Sequence, residues 1–389
     1  MSSVPFIVLA WLATRAVIFA AMFWLAPAHP GWNALTNWDG IWYEHVATVG
    51  YEYAPDGRQH DVAFFPLYPL TVAAFMRLLP IPFAIAGAVV NNLAFLLALI
   101  VIFDWVRARR NAGTARWVVA TLCLLPGSLF TAVAYSEGLY LLLSAAALRS
   151  FDRRAYLWAG IAAALASATR LFGVLLFPAF ALDALRKRRG GAAYLCALCA
   201  LAGPLGFALY CNAAFGDPLA FVHVQSAWRT GLGFSFADWE YVIAYGITWK
   251  WPYQLAVVLI GLWCFRRRRA LGTRTSAIVA FLLAAAELII WGKEQLTFLL
   301  VGVGCVLVIR YRAWLGTAAS AYALLGIAII LFSGKPYSVE RLAYAIVPIT
   351  FALAIFWRRY PAVGVAALAV AAVTLPIYAI RFAEGIFVD

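Results

Sequence analysis

Apolar residues fall along this chain in long blocks separated by short, arginine-rich intervals. A bilayer core about 30 Å thick takes roughly 20 apolar residues per helical crossing, and the blocks recur at close to that length from end to end. The pattern predicts an all-α polytopic integral membrane protein of about thirteen transmembrane helices. The expected spans are Phe6 to Ala26, Phe83 to Val106, Trp117 to Ala134, Ser136 to Leu148, Ala155 to Thr169, Leu171 to Leu185, Gly191 to Ala213, Trp251 to Phe265, Thr275 to Trp291, Leu296 to Ile309, Ala313 to Phe332, Leu342 to Trp357 and Pro361 to Ile380. No separate soluble domain fits between them, so residues 1–389 read as one transmembrane unit.

Two longer polar intervals, residues 27–82 and 214–250, break the rhythm. Loops of that length are usually functional or carry small elements of their own. In the first, Ile41, Trp42, His45, Val46 and Val49 recur at helical spacing, as in a short interfacial helix. Farther on, Pro66 and Pro69 in AFFPLYPL are expected to deny a continuous helix and to fix a bent, aromatic-rich segment.

Composition agrees with the pattern: 65% hydrophobic and 12% charged residues, with mean hydropathy +0.87, exclude a water-soluble globule. Net charge +13 would suggest nucleic acid in a soluble chain. Here the basic clusters sit between apolar runs: at Arg107, Arg109, Arg110 and Arg116; Arg149, Arg153 and Arg154; Arg186 to Arg189; Arg266 to Arg269 with Arg274; Arg310 and Arg312; and Arg358 and Arg359. Placing all of them on the cytoplasmic side gives one consistent path, N-terminus inside and both long loops outside. Of 17 Asp and Glu, only Asp104, Asp152 and Asp183 adjoin those clusters, so the carboxylates gather toward the outer face. The first run carries Arg15 in its middle and lacks a basic leader, and reads as an uncleaved anchor despite Ala26-Pro27-Ala28.

Ala155 to Leu185 is too short for two full crossings and too long for one, yet both its flanks are cytoplasmic by charge. The chain must rise and return there as two short helices with SATRLFG (Ser167 to Gly173) at the apex. An arginine at such an apex, Arg170, is expensive within the membrane profile and reads as an anion ligand.

In order along the chain, WDGIWYEHVATVGY (Trp38 to Tyr51), H-x-x-AFFPLYP (His60 to Pro69), PGSLFTAVAYSEGLY (Pro126 to Tyr140) and SATRLFG resemble the PIG-V family of GT-C mannosyltransferases. FGDPLAFVHVQSAW (Phe215 to Trp228) and SGKPYSVERLAYAIVP (Ser333 to Pro348) are similar to its bacterial members. The resemblance implies a GT-C-type helical bundle. It also implies a membrane enzyme moving a sugar, typically mannose, from a polyprenyl phosphate to a lipid or glycan acceptor on the outer face of a bacterial inner membrane. Eukaryotic relatives act on the glycosylphosphatidylinositol precursor, an acceptor that does not carry over.

Displacing phosphate from an anomeric carbon needs a base for the acceptor hydroxyl and cations for the departing phosphate. Asp39 is the candidate base, with an N-cap role as its alternative and Asn37 available to cap instead. Arg170 is the first choice for the phosphate, followed by Lys335 and Arg341, whose alternative is snorkelling at a helix end, and by His60. Arg15 reads equally as a structural pair or a lipid-phosphate contact. Glu137 would orient sugar hydroxyls or hold Arg170, and its alternative is a favourable acid at a helix N-terminus. Trp38, Tyr43, Phe65 and Tyr68 are candidates to stack on sugar or to line a lipid groove, although interfacial aromatic belts explain such residues equally well.

No cofactor is expected. Asp238 and Glu240 offer a weak divalent-ion alternative, and the Cys196/Cys199 pair falls in an apolar run as packing residues. No phosphate-binding or dinucleotide loop is present, which argues against a cytoplasmic nucleotide-sugar donor. The competing class is a transporter or flippase of a lipid-linked sugar, which should show two related halves; a lipid-linked sugar polymerase would need a larger acceptor platform.

Overall fold

The computed structural model describes residues 4–228, 251–291, 298–333 and 338–388, and every regular element among them is a helix. Three helical segments are long and apolar enough to cross a membrane: Val4–Leu25, Phe83–Arg109 and Pro361–Ala383. A fourth is made by Gly191–Cys199 and Ala202–Phe215, joined at a 42° bend. The chain is an integral membrane protein, and the expected count of thirteen full crossings is not confirmed.

Most of the other expected spans are shorter helices cut by identifiable breaks. The run Trp117 to Ala134 stops as a helix at Leu124, because Leu125 takes the extended conformation forced on a residue before proline, and Pro126–Thr131 continues as a 3₁₀ helix. The run Leu342 to Trp357 divides ahead of Pro348, with Ile346 out of helical geometry. Ala155 to Leu185 divides at Arg170, whose backbone is extended.

In chain order the elements used below are α1 (Val4–Ala20), α2 (Asp39–Thr48), α3 (Leu67–Leu78), α4 (Phe83–Arg109), α5 (Ala112–Leu124), α6 (Glu137–Asp152), α7 (Tyr156–Thr169), α8 (Leu176–Arg186), α9 (Gly191–Cys199) and α10 (Ala202–Phe215). They continue as α11 (Trp251–Arg266), α12 (Arg268–Trp291), α13 (Gly304–Arg310), α14 (Thr317–Leu331), α15 (Val339–Tyr344), α16 (Val347–Arg359) and α17 (Pro361–Ala383). The core is built on α4, which packs against α5 and α6, with α7, α9 and α10 stacked outward from α6 and α16 closing against α5.

The short helix expected around Ile41 is present as α2. The proline-rich AFFPLYPL segment corrects its expectation, because Pro66 precedes α3 and Pro69 lies in its first turn. A missing N–H costs nothing there, since first-turn N–H groups have no partner within the helix, so both prolines start a helix instead of bending the chain.

The three carboxylates beside the arginine clusters hold those clusters together. Arg109 grips both oxygens of Asp152 through Nε and Nη2, each at 2.6 Å, and Trp105 Nε1 donates to the same carboxylate. Asp104 receives Arg149 and Arg153, joining α4 to the end of α6, while Asp183 takes Lys187 and Arg189. Arg15 is buried with neutral partners. It donates to Asn92 Oδ1, Thr131 Oγ1 and both oxygens of Ser128, and it faces the Phe95 ring at 5.0 Å, so α1 is pinned to the 3₁₀ segment.

Close packing of α7 and α10 rests on Gly203, where an added Cβ would sit 2.3 Å from the Ala168 nitrogen, whereas nothing lies within 4 Å of one at Gly206. Gly203→Ala should therefore cost about 1–3 kcal/mol of stability through overpacking, and Gly206→Ala should be neutral or stabilising. Thermal unfolding of the detergent-purified variants checks this. Equal midpoints would show that the two helices do not approach as described.

Candidate active site

The site grows from an irregular stretch, Ala132 to Ser136, that the sequence pattern merged into apolar runs. Two adjacent amides on α4 hold it in place. Asn91 Nδ2 donates to the carbonyls of Phe130 and Val133, Asn91 Oδ1 accepts from the Gly138 N–H at 2.7 Å, and Asn92 Nδ2 donates to Ala132. Gly138 is required at this contact, since a Cβ there would meet the Asn91 carbonyl at 2.3 Å. The result fixes Glu137 as the first residue of α6, where the helix dipole favours an acid.

Around Glu137 four charged groups alternate in sign. Glu137 Oε1 accepts from Arg170 Nη1 in a short ion pair, and the same oxygen lies 3.2 Å from Arg341 Nε. Arg341 Nη2 in turn donates to Asp39 Oδ2 at 2.6 Å. The Arg341 guanidinium faces the rings of Phe130 and Tyr135 at 5.4 and 5.3 Å, which shield it from solvent and favour the cation. Side-chain exposure rises along this network, from 1% for Glu137 through 12% for each arginine to 27% for Asp39. Glu137 Oε2 is buried and has no hydrogen-bond partner among the described residues.

Asp39 does not cap α2, and neither does Asn37. The Tyr135 hydroxyl accepts from the Asp39 N–H at 3.1 Å and donates to the Asn37 carbonyl at 2.9 Å, giving α2 its N-terminal partner and leaving the Asp39 carboxylate to Arg341. Asn37 Nδ2 donates instead to the Phe382 carbonyl at 2.7 Å, at the far end of α17. Between them Trp38 adopts φ 60° and ψ −117°, a conformation costly for a side-chain-bearing residue, with its ring edge-on to Phe387.

Of the other candidates, Tyr43 lies beside the charged network. Its hydroxyl shares a hydrogen bond of 2.8 Å with Ser136 Oγ, and burial pushes its phenol up to about 12, so it stays a neutral hydroxyl. Tyr68 is fully buried and donates to the Gly87 carbonyl, and Phe65 packs among Phe207 and Phe221. These two form core instead of an open stacking face. His60 is not brought to the network: it pairs with Asp56 at 2.8 Å on an exposed turn, where the Arg58 N–H and His60 hold the Asp56 carboxyl below its usual range. Lys335, Asp238 and Glu240 lie outside the described residues. Among the described residues no group of three or more His, Cys, Asp or Glu is placed to hold a metal ion.

A pair that the sequence reading passed over lies one helix face away. His45 Nδ1 meets Asp61 Oδ2 at 2.7 Å, and the Glu52 N–H donates to Asp61 Oδ1, clamping α2 to the following loop. Burial raises the Asp61 carboxyl above its ordinary value. Asn91 and Asn92 were missed as well; their signal is two adjacent amides inside a long apolar run, where polar groups need partners.

The whole architecture has a counterpart among solved membrane proteins. Over 97% of its length the chain superposes on an oligosaccharyltransferase from Archaeoglobus fulgidus in its apo form, covering 56% of that chain with a TM-score of 0.51 and 13% identity. That likeness is one of fold. The sequence relation is more specific: residues 26–187 match the family described as Mannosyltransferase (PIG-V). Among curated relatives, GPI alpha-1,6-mannosyltransferase 2 of Homo sapiens is 30% identical over 131 residues, and that of Rattus norvegicus 28% over 153. These matches cover 31% and 37% of this chain but only 26% and 30% of the relatives' length. The PIG-V resemblance is thus borne out over residues 26–187, a stretch that carries Asp39, Glu137 and Arg170.

If Glu137 is the common counter-ion, Glu137→Gln should destabilise the fold by about 3–5 kcal/mol, because it leaves buried guanidiniums uncompensated. Adding Arg170→Gln should recover part of that loss, and a double-mutant cycle on unfolding midpoints measures the coupling. Additive effects would show that the pair does not interact.

Proposed function

We propose that this protein is a membrane glycosyltransferase that transfers a sugar, mannose by its family resemblance, from a polyprenyl-phosphate donor to a lipid or glycan acceptor. The observation that carries the reading is the Asp39–Arg341–Glu137–Arg170 network, in which the most exposed member is a carboxylate and the next are two guanidiniums. Its chemistry matches what the reaction demands. The acceptor oxygen attacks the anomeric carbon, the bond from that carbon to the phosphate oxygen breaks, and the electron pair leaves with the polyprenyl phosphate. Asp39 takes the acceptor proton, and a single displacement inverts the anomer.

Phosphate is already a good leaving group, so cations matter more than an acid. Glu137 serves as the tether that keeps Arg170 and Arg341 side by side, and a planar guanidinium is suited to hold phosphate oxygens. The uncommitted Glu137 Oε2 is suited to accept a hydrogen bond from a sugar hydroxyl. With the arginine clusters on the cytoplasmic side, the site faces the outer side of a bacterial inner membrane. The reaction in this reading needs no metal ion.

Purified protein incubated with labelled polyprenyl-phosphate-mannose and candidate lipid acceptors tests the proposal, with a labelled glycoside as the expected product. Asp39→Asn should lower turnover by about 10²–10⁴-fold, the usual worth of a general base, while donor binding persists. Arg170→Ala should weaken donor affinity and rate together, because its contact strengthens as charge develops on the phosphate. Wild-type turnover in Asp39→Asn would remove the base assignment, and loss of activity with a chelator would overturn the metal-free mechanism. Donor translocated without a new glycosidic bond would mark a transporter.

A further inference from the structure

At the other end of the bundle from Asp39, α11, α12 and the junction of α16 with α17 line a cavity of about 590 Å³. Its position follows from α17. That helix lines the cavity with Pro361 and meets Asn37 through the Phe382 carbonyl, a separation of about 32 Å at 1.5 Å per residue, or one bilayer core. The cavity therefore belongs to the opposite membrane face and is separate from the proposed catalytic network.

Its lining is graded. Arg269 lies just before a break in α12 at Gly272, and Arg359 and Tyr360 lie at the α16–α17 junction; beyond the break Thr273, Ser276, Ala280 and Leu283 follow along one helix face at spacings of three and four, passing from hydroxyl to hydrocarbon. No Asp or Glu is among its described lining residues. Neither arginine makes an ion pair among the described residues, in contrast to Arg109, Arg149 and Arg189, each of which is matched to a carboxylate. The cavity also joins two basic clusters distant in sequence, Arg266 to Arg269 and Arg358 with Arg359.

A cationic, hydroxyl-bearing mouth above an apolar floor is complementary to an amphiphile with an anionic head. We propose that this cavity binds an anionic phospholipid of the surrounding bilayer, its phosphate held by Arg269 and Arg359 and its upper acyl chain lying against Ala280 and Leu283. Basic pockets between membrane helices at the positively charged face are suited to such headgroups. The apolar half disfavours a free soluble anion, which would gain nothing from it.

Native mass spectrometry of the full chain in detergent tests this with three probes: phosphatidylglycerol, phosphatidylcholine and inorganic phosphate. Retained phosphatidylglycerol in preference to phosphatidylcholine is expected, and Arg269→Ala and Arg359→Ala should each weaken retention about fivefold. The corresponding lysine variants should keep most of it, which separates charge from folding. Ala280→Phe, which fills the floor with both arginines intact, should also expel the lipid. Unchanged retention in the double alanine variant, or equal retention of phosphatidylcholine, would overturn the proposal. Displacement of the lipid by millimolar inorganic phosphate would do the same, since it would show a free-anion site.

Discussion

A carboxylate buried to 1% exposure at the first residue of a helix is tolerable only if cations come to it, and Glu137 draws in two. That requirement fixes much else. Arg170 must reach it from the break between α7 and the following 3₁₀ turn, and Arg341 from α15, so three separate parts of the chain share one counter-ion. Because Arg341 also holds Asp39, the requirement passes outward to α2 at the surface. The most exposed charge in the group is thereby positioned by the most buried one.

The irregular backbone beside Glu137 has a second support of a different kind. Asn91 and Asn92 from α4 and Arg15 from α1 satisfy its carbonyls and hydroxyls with neutral or one-sided hydrogen bonds, without any carboxylate. Non-helical backbone at membrane depth is tolerated where such partners exist. The two supports divide the work: amides and Arg15 shape the loop, and the ion pairs fill it with charge.

Much of this was legible in the sequence because charges are conspicuous in an apolar chain. Asp39, Glu137, Arg170 and Arg341 stood out singly, and the structure joins all four. Phe65, Tyr68 and His60 stood out by the same criterion of residue type, yet their environments differ. An aromatic side chain reads alike whether it lines a groove or fills a core, and a loop histidine finds whichever carboxylate the turn brings near, here Asp56. Hydrophobic length foretold a membrane protein but not the number of crossings, since Pro126, Arg170 and Pro348 cut apolar runs into helices too short to span alone. The partner of Asn37 could not be read at all, because it is a backbone carbonyl 345 positions away.

That last bond bears on how the protein is made. Asn37 leaves the ribosome long before Phe382, and Asp39 precedes Arg341 by 302 residues. Throughout the insertion of the intervening helices, the Asp39 segment has neither its clip nor its counter-charge. The site thus closes only once α15 and α17 have come to rest against the first loop. A chain halted midway through translation carries the family's sequence signature in residues 26–187 without the assembled site.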